Sequence, residues 1–298
     1  MPSELEKSIA KTAAYFSIFS YPLTSFEIWK WLSEPDREYS LFEVRNALEK
    51  SEFLKKMLET DCGFFFLRGA GISIRERNER TADSHRKFKR LKRVARFLSL
   101  IPWIDGIAAC NTLAWSHTTE KSDIDLLIIT QPNSLWSARL FAVLPFALLH
   151  QRPHERARDP LCFSFFLNSD AMDLSKIKLK DDPYLSAWVP SVVPVFDRGN
   201  VFDEFWQANL WVKQLFPNSF PVFASANRRV GLKLFSMNAP KWLESFLKRI
   251  QMRRMPASLS EQAKAGIGVV INNDMIKLYS ADRREEIAER WRKEIEKY

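Results

Sequence analysis

The chain has 298 residues, with 45 Lys and Arg against 36 Asp and Glu, a formal net charge of +9. Glycine occurs only 8 times, and no placement of those eight gives a Walker A loop or a G-x-G-x-x-G turn, which excludes P-loop and Rossmann phosphate chemistry. Three well-separated cysteines, Cys62, Cys110 and Cys162, fit neither a disulfide framework nor a zinc cluster and point to a reducing compartment.

The first residues alternate acids and bases without an apolar signal core. The longest apolar run, 135–150, contains Arg139 and Pro145 and falls short of the roughly 20 residues of a bilayer span. A soluble, cytoplasmic protein with no membrane partner is expected. Ile9, Ala13, Phe16 and Phe19 recur at helical spacing and predict a helix over 4–19. Pro22 stops it, and Thr24 with Glu27 forms a capping box for a second helix reaching Leu32. Ser40 and Glu43 repeat the device for a third helix over 40–52, and Phe64-Phe65-Phe66-Leu67 after the turn at 60–63 predicts a β-hairpin. Helix, helix, helix and hairpin is the order of a winged helix, so residues 1–70 read as a winged-helix-like module. Its third helix carries Glu43, Glu49 and Glu52 against Arg45 and Lys50, which argues against tight insertion into a major groove.

Residues 75–96 hold ten Lys or Arg against three acids, with an apolar stripe at Leu91, Val94, Ala95 and Leu98. The pattern predicts one long helix ended by Pro102, so 71–101 reads as a basic linker helix. Arg86, Lys87, Lys89 and Arg90 are its candidate contacts to nucleic-acid phosphates; a solvated linker with an apolar seam fits the same pattern. From 102 to 200 the pattern turns to α/β, with strands expected at 104–110, 124–130 and 161–167, a short helix at 112–116 and an apolar helix at 134–151. His150 and His154 do not read as a zinc pair, because Pro153 breaks the helix that would align them. Residues 201–298 read as mostly helical, over 206–216, 239–254 and 282–298, with a short strand pair at 268–271 and 275–279. The expected fold class is thus α/β (α+β): the N-terminal module, a central mixed sheet with flanking helices over 102–200, and a helical C-terminal region.

The chemistry concentrates in Ser122-Asp123-Ile124-Asp125-Leu126-Leu127-Ile128-Ile129. Aspartates at i and i+2 on a strand share a face, and in so apolar a strand they repel one another unless a cation sits between them. Carboxylates favour Mg²⁺, which takes one or two of them together with substrate phosphates.

Asn111-Thr112-Leu113-Ala114-Trp115 followed by Ser122-Asp123-Ile124-Asp125 resembles the signature of the polymerase-β-type nucleotidyltransferase superfamily. That signature is a Gly-Ser opening a short helix, with Asp-x-Asp ten to thirteen residues later on the next strand. Residues 15–24, 209–212 and 216–218 are similar to a bacterial group in which a winged-helix-like N-terminus precedes such a domain. The resemblance implies that Asp123 and Asp125 are catalytic residues that bind Mg²⁺ or Mn²⁺ against a nucleoside triphosphate. It places Asn111, Thr112 and Ser122 in the nucleotide site, with the Thr112 hydroxyl and N–H on phosphate. The implied reaction moves a nucleoside monophosphate from the triphosphate to a nucleic-acid, protein or small-molecule acceptor. The sequence departs from the pattern at Asn111, where the family has glycine and where a side chain is expected to crowd the phosphates. It also departs at 161–167, which contains no acid where a third carboxylate is expected; Asp159 and Asp170 only flank it. These departures open a second reading, a degraded transferase scaffold serving as a nucleotide- or nucleic-acid-binding regulator.

Overall fold

Three helices near the N-terminus start on the same device. Ser3 and Glu6 open α1 (Glu4–Ser17), Thr24 and Glu27 open α2 (Ser25–Lys30), and Ser40 and Glu43 open α3 (Leu41–Lys50). In each, the hydroxyl accepts the N3 backbone N–H while the carboxylate accepts the N–H of the cap residue. The computed structural model describes residues 2–153, 155, 157–231, 237–266, 268–279 and 281–297. After α3 come α4 (Glu52–Met57) and a three-stranded antiparallel sheet in the order β1 (Leu23–Thr24), β3 (Phe64–Leu67), β2 (Leu58–Asp61).

The basic helix α5 (Ile74–Leu98) is a single element of 25 residues. Its apolar stripe, Leu91, Val94, Ala95 and Leu98, is buried against a six-stranded mixed sheet. That sheet uses β4 (Ile104–Ala109), β5 (Ile124–Thr130), β6 (Leu161–Asn168), β7 (Val193–Asp197), β8 (Val269–Ile271) and β9 (Met275–Leu278). Its spatial order is β7-β4-β5-β6-β9-β8, and the β5–β6 pair is the parallel one. The four-residue α6 (Asn111–Ala114) links β4 to β5, and α7 (Leu135–Leu148) provides the crossover from β5 to β6.

β5 is buried on both faces, so alternate residues join different cores. Ile124, Leu126 and Ile128 pack under α5 and α7, while Leu127 and Ile129 face α8 (Pro183–Ser191) and α9 (Val201–Ala208). Gly106 in β4 makes the second contact possible, since a Cβ there would lie 2.8 Å from Phe202 and 2.9 Å from Val201 of α9.

A helix was expected over 206–216, but α9 ends at Ala208 and a 3₁₀ turn covers Leu210–Gln214. Buried Asn209 causes the break: its amide donates to the carbonyls of Met172 and Phe205, both at 2.8 Å, and its oxygen accepts the Leu174 N–H. Downstream lie α10 (Lys241–Arg253), α11 (Ala257–Ala265) and α12 (Arg284–Ile295). β9, from the region beyond residue 200, pairs with β6 and extends the central sheet. The N-terminal helices likewise share one core with Phe216, Ile287 and Trp291. Among the described residues, no helix is long and apolar enough to cross a membrane.

Candidate functional site

Asp125 sits on the α8 side of β5, and its Cα partner on β6 is Cys162. Burial raises its carboxyl to about 6; hydrogen bonds from Asn111 and Cys162 oppose that rise, and the nearby charge of Asp123 adds to it. Asp123, half-buried, lies two residues back along the same face. The structure thus brings the two sequence-predicted aspartates together at the mouth of the β4–β5 connection.

Cys162 occupies the place where a third acid was sought. Burial pushes its thiol up to about 12, and its sulfur lies 3.3 Å from Ser164 Oγ. Neither flanking aspartate reaches the site. Asp159 is held by Arg86 and Lys87, and Asp170 is exposed beyond the Asn168–Thr130 pair at the other end of the strands. Among the described residues, no three His, Cys, Asp or Glu side chains are grouped to hold a metal ion, and His154 lies outside those residues.

Asn111 has φ +53°, in the left-handed region where glycine or asparagine is favoured. Its side chain, expected to crowd the phosphates, lines the cavity and is anchored in its wall. Its oxygen accepts from Trp188 Nε1 at 2.8 Å and from the Tyr184 hydroxyl at 3.3 Å, and its amide donates to the Tyr279 hydroxyl at 3.2 Å. Trp188 and Tyr184 come from α8, which lacks a simple sequence signal because Pro183 opens it and Pro190 lies within it. Those aromatic partners were not legible in the sequence.

Thr112 is exposed and Ser122 half-buried; both line a cavity of about 330 Å³ with Asn111, Arg80 and Trp115. The cavity lies between the N-terminal helices and α8, and Phe19, Tyr21 and Tyr184 supply more of its aromatic wall. A second cavity of about 260 Å³ shares Phe19, Asn111, Tyr184 and Trp188 with the first and holds Lys277, whose ammonium burial lowers to about 8. Asn111 therefore stands on the partition between two cavities. His117 also lines the first cavity, and burial together with the Arg80 guanidinium lowers it to about 4.

Lys87 was offered as a nucleic-acid contact and has a different role. It is fully buried, and its ammonium donates to the carbonyls of Thr119 and of Ser122, the latter at 2.7 Å, while pairing with Asp83 at 3.1 Å. It thereby fixes the loop that delivers Asp123. Arg86 is committed to Asp83 and Asp159, and Arg90 donates to Gln151; of the four candidates, Lys89 stays exposed and outside any ion pair among the described residues. Besides Asp83 nearby on the helix, the partners of Arg86, Lys87 and Arg90 stand 32 to 73 residues along the chain. The chain matches no family model, no curated protein and no solved structure, so the reading of this site rests on its own geometry.

Proposed function

We propose that the chain binds a nucleoside triphosphate with Mg²⁺ and transfers the nucleoside monophosphate to an acceptor, on a scaffold of the polymerase-β nucleotidyltransferase type with a winged-helix-like module at its N-terminus. The observation that carries this reading is that Asn111, whose side chain hydrogen-bonds Asp125, and Ser122, which directly precedes Asp123, both line an aromatic cavity together with Thr112. The donor set suits a hard dication: two carboxylates two residues apart at the start of β5, one of them raised by desolvation and carrying its charge at a cost that a neighbouring cation would relieve. Asp123 and Asp125 would hold the ion. A Mg²⁺ ion held there would supply charge neutralisation for the triphosphate. The chain's own groups do the rest. Trp115, Tyr21 and Phe19 give the base an apolar, stackable wall, Thr112 adds a hydroxyl to the cavity lining, and Lys87 keeps the Ser122 carbonyl and hence Asp123 in place.

Cys162 favours the second reading, a site that binds without turnover. A thiol raised to about 12 stays protonated at neutral pH and cannot accept a proton from an acceptor hydroxyl, as a carboxylate at that position would. Calorimetry with a non-hydrolysable triphosphate and Mg²⁺ tests the shared part of both readings: binding by the wild type, lost in Asp123→Ala/Asp125→Ala, is expected. Absence of binding at millimolar nucleotide overturns them. Pyrophosphate release from a hydrolysable triphosphate then separates transfer from binding alone.

A further inference from the structure

We infer that the outer face of α5 is a binding groove for single-stranded nucleic acid, separate from the aspartate site and independent of its chemistry. The groove has a volume of about 980 Å³, and Lys89, Lys92, Arg93 and Arg96 form one wall. Phe223 and Arg228, from the loop leading to β7's partner Val230, form the other. No carboxylate lines it, and none of the four α5 cations has an ion-pair partner among the described residues. This contrasts with the other half of the helix, where Arg77, Arg80, Arg86 and Lys87 are all paired with acids. The charge therefore divides by position. At 100° per residue, Lys92 and Arg96 lie about 140° and 180° around the helix from Lys87. They point away from the loop that Lys87 holds.

Two features select an unpaired strand over other polyanions. Phe223 is 70% exposed beside these cations, a large apolar ring left uncovered by the described residues. A base stacked on such a ring, with its backbone on a row of Lys and Arg, is the recurring arrangement for single strands. The wall behind it is preorganised: Lys92 Nζ donates to the Asn227 carbonyl at 2.7 Å, and the Arg228 guanidinium lies 3.9 Å over the ring of buried Phe88. The loop is therefore fastened to the helix at Asn227 and Arg228.

The probe is a fluorescein-labelled single-stranded oligonucleotide of about twelve residues, within the usual site size of such grooves, followed by anisotropy at several salt concentrations. If about five phosphates are neutralised, log K should fall against log salt with a slope near −3.5, and Lys89→Ala or Arg93→Ala should each lower that slope by about 0.7. Phe223→Ala, which keeps every charge, should weaken binding by about 5- to 150-fold, the loss of one stacked base. All three positions are exposed, so unchanged thermal unfolding is expected and checks that the fold survives. Three results overturn the inference: no oligonucleotide binding at low salt, Phe223→Ala binding as tightly as the wild type, or binding of heparin or anionic vesicles with no binding of the oligonucleotide.

Discussion

Asn111 holds φ +53° and three side-chain hydrogen bonds at once, and no other residue type meets both demands. Glycine tolerates the backbone but leaves Trp188 Nε1 and the Tyr184 hydroxyl without their acceptor; alanine fails on both counts. Asn111→Ala should therefore destabilise the fold by about 2–4 kcal/mol and Asn111→Gly by about 1–3 kcal/mol, read from urea unfolding. A second residue-level consequence concerns pH. His117 stays neutral in the folded chain down to about 4, while in the unfolded chain it takes up a proton below its ordinary value near 6.5. The unfolded state thus binds more protons between those limits, so the contribution of His117 is complete above pH 6.5 and is lost as pH falls toward 4. The difference in unfolding free energy between wild type and His117→Gln should shrink by about 2–3 kcal/mol over that window, because subtraction removes every other titrating group.

At the scale of elements, α5 does two unlike jobs along one helix. Its Lys87 is a buried cation whose removal strands the carbonyls of Thr119 and Ser122 and leaves Arg86 alone to balance both Asp83 and Asp159. Lys87→Met should cost about 3–5 kcal/mol, and Asp159→Asn in the same chain should recover part of that loss, because it leaves Arg86 one carboxylate, Asp83, to balance instead of two. The existence of α5, its apolar stripe, the Thr24 and Ser40 capping boxes and the full span of β5 were legible in the sequence, since each depends on residues within one or two turns. The burial of Lys87 was not, because the carbonyls it satisfies stand 32 and 35 residues away. The same holds at the site. Asp123 and Asp125 announce themselves by spacing, whereas the aromatic wall on Asn111 comes from α8, whose two prolines hide it. Asn209 shows the converse error: local helical spacing was outcompeted by three hydrogen bonds to backbone remote in sequence or one turn back.

In the molecule as a whole, the N-terminal helices are completed by the far end of the chain. Trp291 of α12 is buried among them, donates its indole N–H to the Lys11 carbonyl at 2.9 Å and meets Tyr15 edge-on at 6.0 Å. Trp291→Ala should cost about 3–5 kcal/mol and raise amide exchange in α1 as well as in α12, with no comparable change in β5. The pairing of β9 with β6 carries a further consequence, for biosynthesis. Until the ribosome has made residue 278, β6 presents an open edge built from Leu161-Cys162-Phe163-Ser164-Phe165-Phe166-Leu167, an uncharged aromatic segment of the kind that adds to itself. A nascent chain paused between about residues 200 and 270 should therefore be a strong client for holdase chaperones, and one extended past β9 should not.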